Sequence, residues 1–356
     1  MVLQPSEASS PVRFLHQGEV GWVEADFPPV NALSHAVRQG LLHGLNAAIS
    51  DPRVKAIALT AKGRTFFAGA DIGELDHGVR PPGLMELIQS CDETTKPVLG
   101  ALFGTVYGGG LVVAYACDWR LAAGDTRFAL PELGLGLLPT FGATQWLTRW
   151  LGVESTLSLV IDGDVWDAHR ALESGFVDRI VEQAQLLDAT TSLALTSVNK
   201  RRISDPRHWR LEDESHVAQA FDRRRDRFAE SAPDFEAAWA TLELMQSGLK
   251  LPIDQALERE RQLFDYLLRS VQSKRLRTLF FADRRLRRAR GDVDSLAREI
   301  QRIGPNDIAA LCALAREAVN EGLMPDVGAF DALVVQVLKL ARHRPSPIAA
   351  LLTEVT

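Results

Sequence analysis

The sequence predicts an α/β domain over about the first 185 residues followed by an all-helical portion, and three observations predict it. Short runs of β-branched, aromatic and aliphatic residues alternate with helix-period segments up to Val181. Glycine-rich stretches follow directly on two of those runs. Past Glu182 the strand signal nearly vanishes, and charge-rich helical patterns take over, punctuated by Pro206, Pro233, Pro252, Pro305 and Pro325.

The elements follow in order. Val12 to His16 and Val20 to Ala25 are strand-like and flank Gln17-Gly18-Glu19, which reads as an antiparallel hairpin. From Ser34 to Ile49 the apolar residues Val37, Leu41, Leu42, Leu45 and Ile49 recur at helical spacing, with Ser34 placed as N-cap. Val54 to Thr60 and Val98 to Phe103 read as buried strands. A helix near Leu84 to Cys91 between them makes a right-handed βαβ crossover. Cys117 to Ala122 is a further strand, and helical patterns dominate beyond Gly142. Leu242–Met245, Ala256–Leu268 and Ile308–Val319 read as amphipathic helices.

Composition narrows the function. With 356 residues the chain exceeds the roughly 250–300 at which single cores stop growing, so a second body is expected. Hydrophobic residues make up 46% and charged residues 24%, which excludes a disordered or low-complexity chain. Lys and Arg number 40 against 46 Asp and Glu; the net charge of −6 provides no basic field for nucleic acid. Cys91, Cys117 and Cys312 are sparse and form no CxxC pair, which fits buried thiols in a reducing compartment. Met1 to Pro11 lacks a basic region followed by an apolar one, and no apolar run approaches 18 residues. A cytoplasmic protein without signal peptide or membrane span is therefore expected.

Three glycine-rich segments carry the chemistry: Phe66 to Ile72, Gly104 to Leu111 and Pro131 to Pro139. None is a GxGxxG fingerprint and none continues into Gly-Lys-Ser/Thr, so a nicotinamide or ATP site has little support. A glycine-rich strand-to-helix turn instead leaves the first helical amides unpaired and aimed at a ligand. The N–H groups of Ala70 and Gly109 can converge on one carbonyl oxygen and hold it as an oxyanion. For any one such loop alone, close packing of helix on sheet is the plainer role. The histidines show no metal spacing, with His35 and His43 two turns apart on one helix, and no Ser stands in a GxSxG elbow.

Taken together, Phe66-Phe-Ala-Gly-Ala-Asp-Ile-Gly-Glu74, Gly104-Thr-Val-Tyr-Gly-Gly-Gly110, Ala116-Cys-Asp118 and Phe128-Ala-Leu-Pro-Glu-Leu-Gly-Leu-Gly-Leu-Leu-Pro139 resemble the enoyl-CoA hydratase/isomerase (crotonase) superfamily in order and spacing. The likeness runs from about residue 12 to 183 and closes on Gly175-Phe-Val-Asp-Arg-Ile-Val181. It implies a β-β-α spiral core, assembly into a homo-trimer or hexamer, and an acyl-CoA substrate. Coenzyme A then enters only as part of that thioester, with no metal or other cofactor. It also implies an oxyanion hole at the N–H groups of Ala70 and Gly109, with Phe67, Ala68, Gly69 and Asp71 bordering the substrate. Asp118 falls at a structural position, and Glu74 is expected at a solvated helix start.

One departure decides the expected reaction. Hydratases of the family carry two carboxylates, one two residues after the Gly triplet and one in the Pro-Glu motif. Here the second is Glu132, but the first position is Val112. Syn addition of water needs both groups, and a positioned acid or base contributes about 10²–10⁴-fold. One carboxylate suffices to carry a proton from C2 to C4 of a 3-enoyl-CoA, so double-bond isomerisation through Glu132 is the expectation. Two alternatives stand beside it: a hydratase with a non-standard second acid, and a weakly active acyl-CoA-binding or assembly subunit. Thr140 sits where some thioester hydrolases carry an acid.

Beyond residue 183, Leu249 to Phe264 and Ser273 to Arg285 are similar to the helical linker of multifunctional β-oxidation enzymes, but no Rossmann fingerprint follows. The expected divisions are 1–183, a crotonase-like domain; 184–291, a helical linker or lid; and 292–356, a small helical region. By the same likeness Phe280 and Phe281 are candidates to line the acyl pocket. Lys274, Arg275, Arg277, Arg284, Arg285, Arg287, Arg288 and Arg290 form a basic cluster, read first as a solvated face, then as a contact for CoA phosphates and, more rarely, for an RNA backbone.

Overall fold

The first hairpin forms as the sequence predicts, with β1 (Val12–Gln17) antiparallel to β2 (Val20–Ala25). Gly18 takes φ 61° in the two-residue turn, a conformation that costs glycine little. The computed structural model describes residues 10–288 except 76, 197–198, 211 and 232–234, and the side chains of 278–279 and 282–288 lie outside that description.

Helix α1 (His35–Ser50) leads to β3 (Ala56–Ala61), which runs parallel to β2 and is buried along its whole length. The crossover helix α2 (Leu84–Glu93) joins β3 to parallel β4 (Val98–Leu102). The chain then repeats a step: a strand in one sheet, a short strand in a second sheet, then a helical turn. The first pass is β4, β5 (Thr105–Tyr107) and α3 (Gly109–Ala116). The second is β6 (Trp119–Ala123), β7 (Arg127–Ala129) and a 3₁₀ turn, Pro131–Leu135. Helices α4 (Trp146–Leu151) and α5 (Val153–Val160), strand β8 (Trp166–Asp167), helix α6 (Ala168–Ser174) and strand β9 (Arg179–Val181) complete the core.

The large sheet has the order β1-β2-β3-β4-β6-β9, all parallel after the hairpin, and the small sheet is β5-β7-β8. Gly104 makes the step from one sheet to the other possible. It sits at φ 59°, and a Cβ there would lie 2.2 Å from the Arg64 carbonyl oxygen. Buried Asp118 is structural, as expected: it accepts the Val98 and Arg201 N–H groups and pairs with Lys200 at 2.9 Å.

Helix α7 (Leu186–Leu195) lies just past residue 183, yet it packs on β3, β4 and β6 of the large sheet. Then come α8 (Glu214–Ser231), α9 (Glu236–Gly248), α10 (Ile253–Arg269) and α11 (Val271–Arg288). The last two return to the core: on α10 Glu260 accepts the Gly142 N–H at 2.6 Å, and on α11 Ser273 donates to the Leu135 carbonyl at 2.8 Å. The expected 292–356 region, with Cys312 and the helix at Ile308–Val319, lies outside the described residues. So do Arg290 and the side chains of Arg284, Arg285, Arg287 and Arg288.

Ser34 is the N-cap residue of α1, as expected, but its hydroxyl is buried without a partner and makes no capping bond. The first helical amide, that of His35, donates instead to Glu74 Oε1 at 2.7 Å. Glu74 is thus no solvated helix start. It also holds buried Arg38 at 2.9 Å, tying the loop after Asp71 to the start of α1.

Candidate active site

Two glycine turns bring the expected amides together. Gly69 takes φ 120° and its carbonyl accepts the Leu33 N–H at 2.9 Å, which fixes the plane of the next peptide, that of Ala70. Gly108 takes φ 51° and starts α3 with Gly109 as first helical residue. A Cβ on Gly109 would lie 3.4 Å from the Ala70 nitrogen, so both N–H groups border the same small volume. Among the described residues neither has a hydrogen-bond acceptor. The positive end of α3 adds to the pull on a negative ligand there. The packing is tight: a Cβ on Gly110 would fall 2.0 Å from the Phe67 carbonyl oxygen.

Glu132 arrives from the other side on the 3₁₀ turn, whose exit is made by Gly136 at φ 64°. A Cβ on Gly108 would lie 2.7 Å from its Oε1, so the carboxyl rests on the glycine triplet. Its Oε2 is buried without a partner. Loss of solvent pushes the carboxyl up to about 7. A base tuned near neutrality, beside two free amides, suits proton transfer at a carbon next to a carbonyl.

These groups open into a largely apolar cavity of about 610 Å³. Five carboxylates line it: Asp71, Glu74, Glu86, Glu132 and Asp265. Four are engaged. Asp71 accepts the Gly73 N–H, Glu74 holds Arg38, Glu86 accepts the Gly83 N–H, and Asp265 pairs with Arg261 at 2.9 Å. Only Glu132 presents a buried oxygen with nothing attached. Val112 faces the cavity from α3 and is 3% exposed, so the position of the second family acid is apolar in space as well as in sequence. Among the described residues no cluster of His, Cys, Asp or Glu is arranged to hold a metal ion, and no helix is long and apolar enough to cross a membrane.

Ala68, Gly69 and Asp71 line the cavity, but Phe67 does not. Its side chain is fully buried, edge-on to Phe66 at 4.4 Å between ring centres, because both faces of that segment are covered by the core. Phe280 and Phe281 likewise do not line the cavity. They meet edge to face at 5.6 Å between ring centres on α11, which packs behind the Glu132 turn. The wall assigned to them is supplied by α10, through Arg261, Phe264, Asp265, Leu268 and Arg269.

Sequence reasoning missed Glu260. This carboxylate is 1% exposed and pushed up to about 7 by burial, although three N–H and O–H groups of Gly142 and Thr144 point at it. The available signal was its phase: Glu260 falls in the stripe of Ala256 and Leu267, the buried face of α10.

Fold and cavity together define a protein of the β-β-α spiral type, in which two main-chain amides and one buried carboxyl border the same cavity. The model of the family described as enoyl-CoA hydratase/isomerase matches residues 16–205, and the chain belongs to that family. It is 34% identical over 261 residues to a peroxisomal bifunctional enzyme of Danio rerio, covering 72% of this chain and 36% of that protein. It is 32% identical over 247 residues to the fatty acid oxidation complex subunit alpha of Vibrio vulnificus, covering 66% of this chain and 35% of that one. The chain thus spans about a third of the length of these curated relatives. Its fold is that of the enoyl-CoA hydratase/isomerase from Pseudoalteromonas atlantica, with TM-score 0.56 and 23% identity over 76% of this chain and 96% of that one. An enoyl-CoA hydratase from Mycobacterium avium subsp. paratuberculosis aligns with TM-score 0.54 and 23% identity, over 76% and 95%.

Proposed function

We propose that this chain moves the double bond of a 3-enoyl-CoA thioester to the 2-position, with Glu132 as its one base. The observation that carries the reading is that, of five carboxylates on the cavity, Glu132 alone offers an unpartnered oxygen, while Val112 occupies the place a second acid would need. The thioester oxygen lies between the N–H groups of Ala70 and Gly109. Glu132 Oε2 takes a proton from C2, and the electron pair delocalises over the dienolate, whose negative oxygen the two amides hold. The carboxyl then returns the proton at C4, leaving the 2,3-double bond. Each oxyanion donor is worth about 2.7–4 kcal/mol where such donors have been removed. Val112, Leu135 and Leu138 exclude the water that would quench the intermediate or add to C3.

Incubation with 3-enoyl-CoA and, separately, with 2-enoyl-CoA tests this. Double-bond migration is expected in the first, with hydration of the second slower by about 10² or more, the low end of the contribution of one missing acid or base. Hydration of 2-enoyl-CoA at an equal or greater rate would overturn the assignment in favour of a hydratase. Thioester binding without turnover of either would favour a binding or assembly subunit. A companion prediction concerns Val112→Glu. It places a second carboxyl on the cavity and is expected to raise hydration above wild type while lowering the melting temperature, since a second buried charge is costly. Product analysis and thermal unfolding read both effects.

A further inference from the structure

A buried carboxylate outside the reacting groups is costly and calls for a use. Glu260 reaches from α10 into the turn that follows Pro139. Its Oε1 accepts the Gly142 N–H at 2.6 Å, and its Oε2 accepts the Thr144 N–H at 3.0 Å and the Thr144 hydroxyl at 2.5 Å. The nearby Thr140 side chain also favours its ionised form. The turn so gripped is an unusual one: Phe141 holds φ 62° without being glycine, followed by Gly142 at φ 89°. Its other side is fixed by Tyr115 of α3, whose hydroxyl donates to the Phe141 carbonyl at 2.6 Å. Pro139, Thr140 and Phe141 line the cavity, and so does the adjacent face of α10 through Phe264 and Leu268. Glu260 itself does not line it. Had α10 needed only to pack, an apolar residue in phase with Ala256 and Leu267 would have served at lower cost.

We propose that Glu260 is a positioning residue that locks the Thr140–Thr144 turn against α10, and so sets how long an acyl chain the cavity accepts. This rests on the acyl-CoA reading above. With the thioester at Ala70 and Gly109 and its first carbons at Glu132, the tail passes to the apolar residues that continue from the Glu132 turn, Leu135 and Leu137 to Phe141. The proximal carbons and the reacting groups do not involve the turn. Loss of the lock therefore acts on long tails and spares short ones.

The test uses the full chain and two unreactive saturated thioesters, butyryl-CoA and decanoyl-CoA, with affinity measured by calorimetry. In Glu260→Gln one carboxylate oxygen becomes an amide that cannot accept the N–H facing it. Decanoyl-CoA is expected to bind about tenfold more weakly, with butyryl-CoA within about threefold of wild type. Thr144→Val removes one donor and leaves Glu260 in place, and it is expected to shift the same ratio in the same direction by less. If Glu260→Gln does not fold, Thr144→Val carries the decision alone. An unchanged ratio of the two affinities, with only a lower melting temperature, would overturn the positioning role and leave Glu260 a packing element. Failure of the wild-type chain to bind either thioester would instead overturn the acyl-CoA reading, and the present inference with it.

Discussion

Glu132→Gln is expected to lower kcat for isomerisation of 3-enoyl-CoA by at least about 10²–10⁴-fold, while thioester affinity stays close to wild type. Gln keeps the shape of the side chain and leaves the Ala70 and Gly109 amides untouched, but it cannot accept the C2 proton. The pH dependence follows from the same burial. Glu132 must be ionised to act as base and titrates at about 7, so kcat/KM rises with pH through about 7 and levels off above it.

The stability effect has the opposite sign. The folded state holds this proton up to about 7, whereas an unfolded glutamate releases it near 4.5. Between those values the native protein binds more protons than the unfolded chain, so stability falls as pH rises through the window. Gln carries no such charge. The variant is therefore expected to be more stable than wild type at pH 8, by up to about 3 kcal/mol, with the advantage fading as pH falls toward 4.5. Glu260 is shifted in the same direction, but it is common to both proteins and cancels in the comparison. Denaturant unfolding of both proteins at pH 5 and pH 8 checks this. A dead enzyme that has become more stable is a result that general damage to the fold does not produce.

Gly110→Ala is expected to have the second largest effect. The new Cβ would sit 2.0 Å from the Phe67 carbonyl oxygen and 2.9 Å from its carbon, both backbone atoms that no rotamer change can clear. Helix α3 must therefore move away from the Phe66–Ala70 segment. The Ala70 and Gly109 amides, the two oxyanion donors of the proposed mechanism, lie one on each side of that contact, so their convergence is lost. A loss of about 10²–10³ in kcat is expected, as when a single oxyanion donor is removed, together with a lower melting temperature. Gly134→Ala is the matching control: it adds the same methyl group where no atom lies within 4 Å, and it is expected to leave kcat unchanged.

Much of this site was legible because its parts are local. Ala70 and Gly109 are specified by turns a few residues long, in which glycine supplies a positive φ or the room for a close approach. The Glu132 turn is announced by Pro131 ahead of it and Gly136 behind. What escaped reading depends on partners far away in the chain. Glu74 looks like a surface acid until Arg38 and the start of α1 arrive beside it, and Glu260 needs Gly142 and Thr144, more than a hundred residues upstream. Phe66 and Phe67 lie in the loop after β3, where no periodicity tells which side is covered, and the core buries both. Phe280 and Phe281 are expected on the cavity, yet the residues that line it on that side are Phe264 and Leu268 of α10. Helical periodicity shows that α10 and α11 each have an apolar face, but it does not show which of the two turns that face to the cavity.

The most direct measurement follows deuterium. A 3-enoyl-CoA labelled at C2 is converted in ordinary water, and the 2-enoyl product is analysed for label at C4. One buried carboxyl that both takes and returns the proton predicts deuterium at C4 above the level supplied by solvent. Product with no C4 label beyond that level, or a 3-hydroxyacyl thioester in its place, would contradict a single shuttling base.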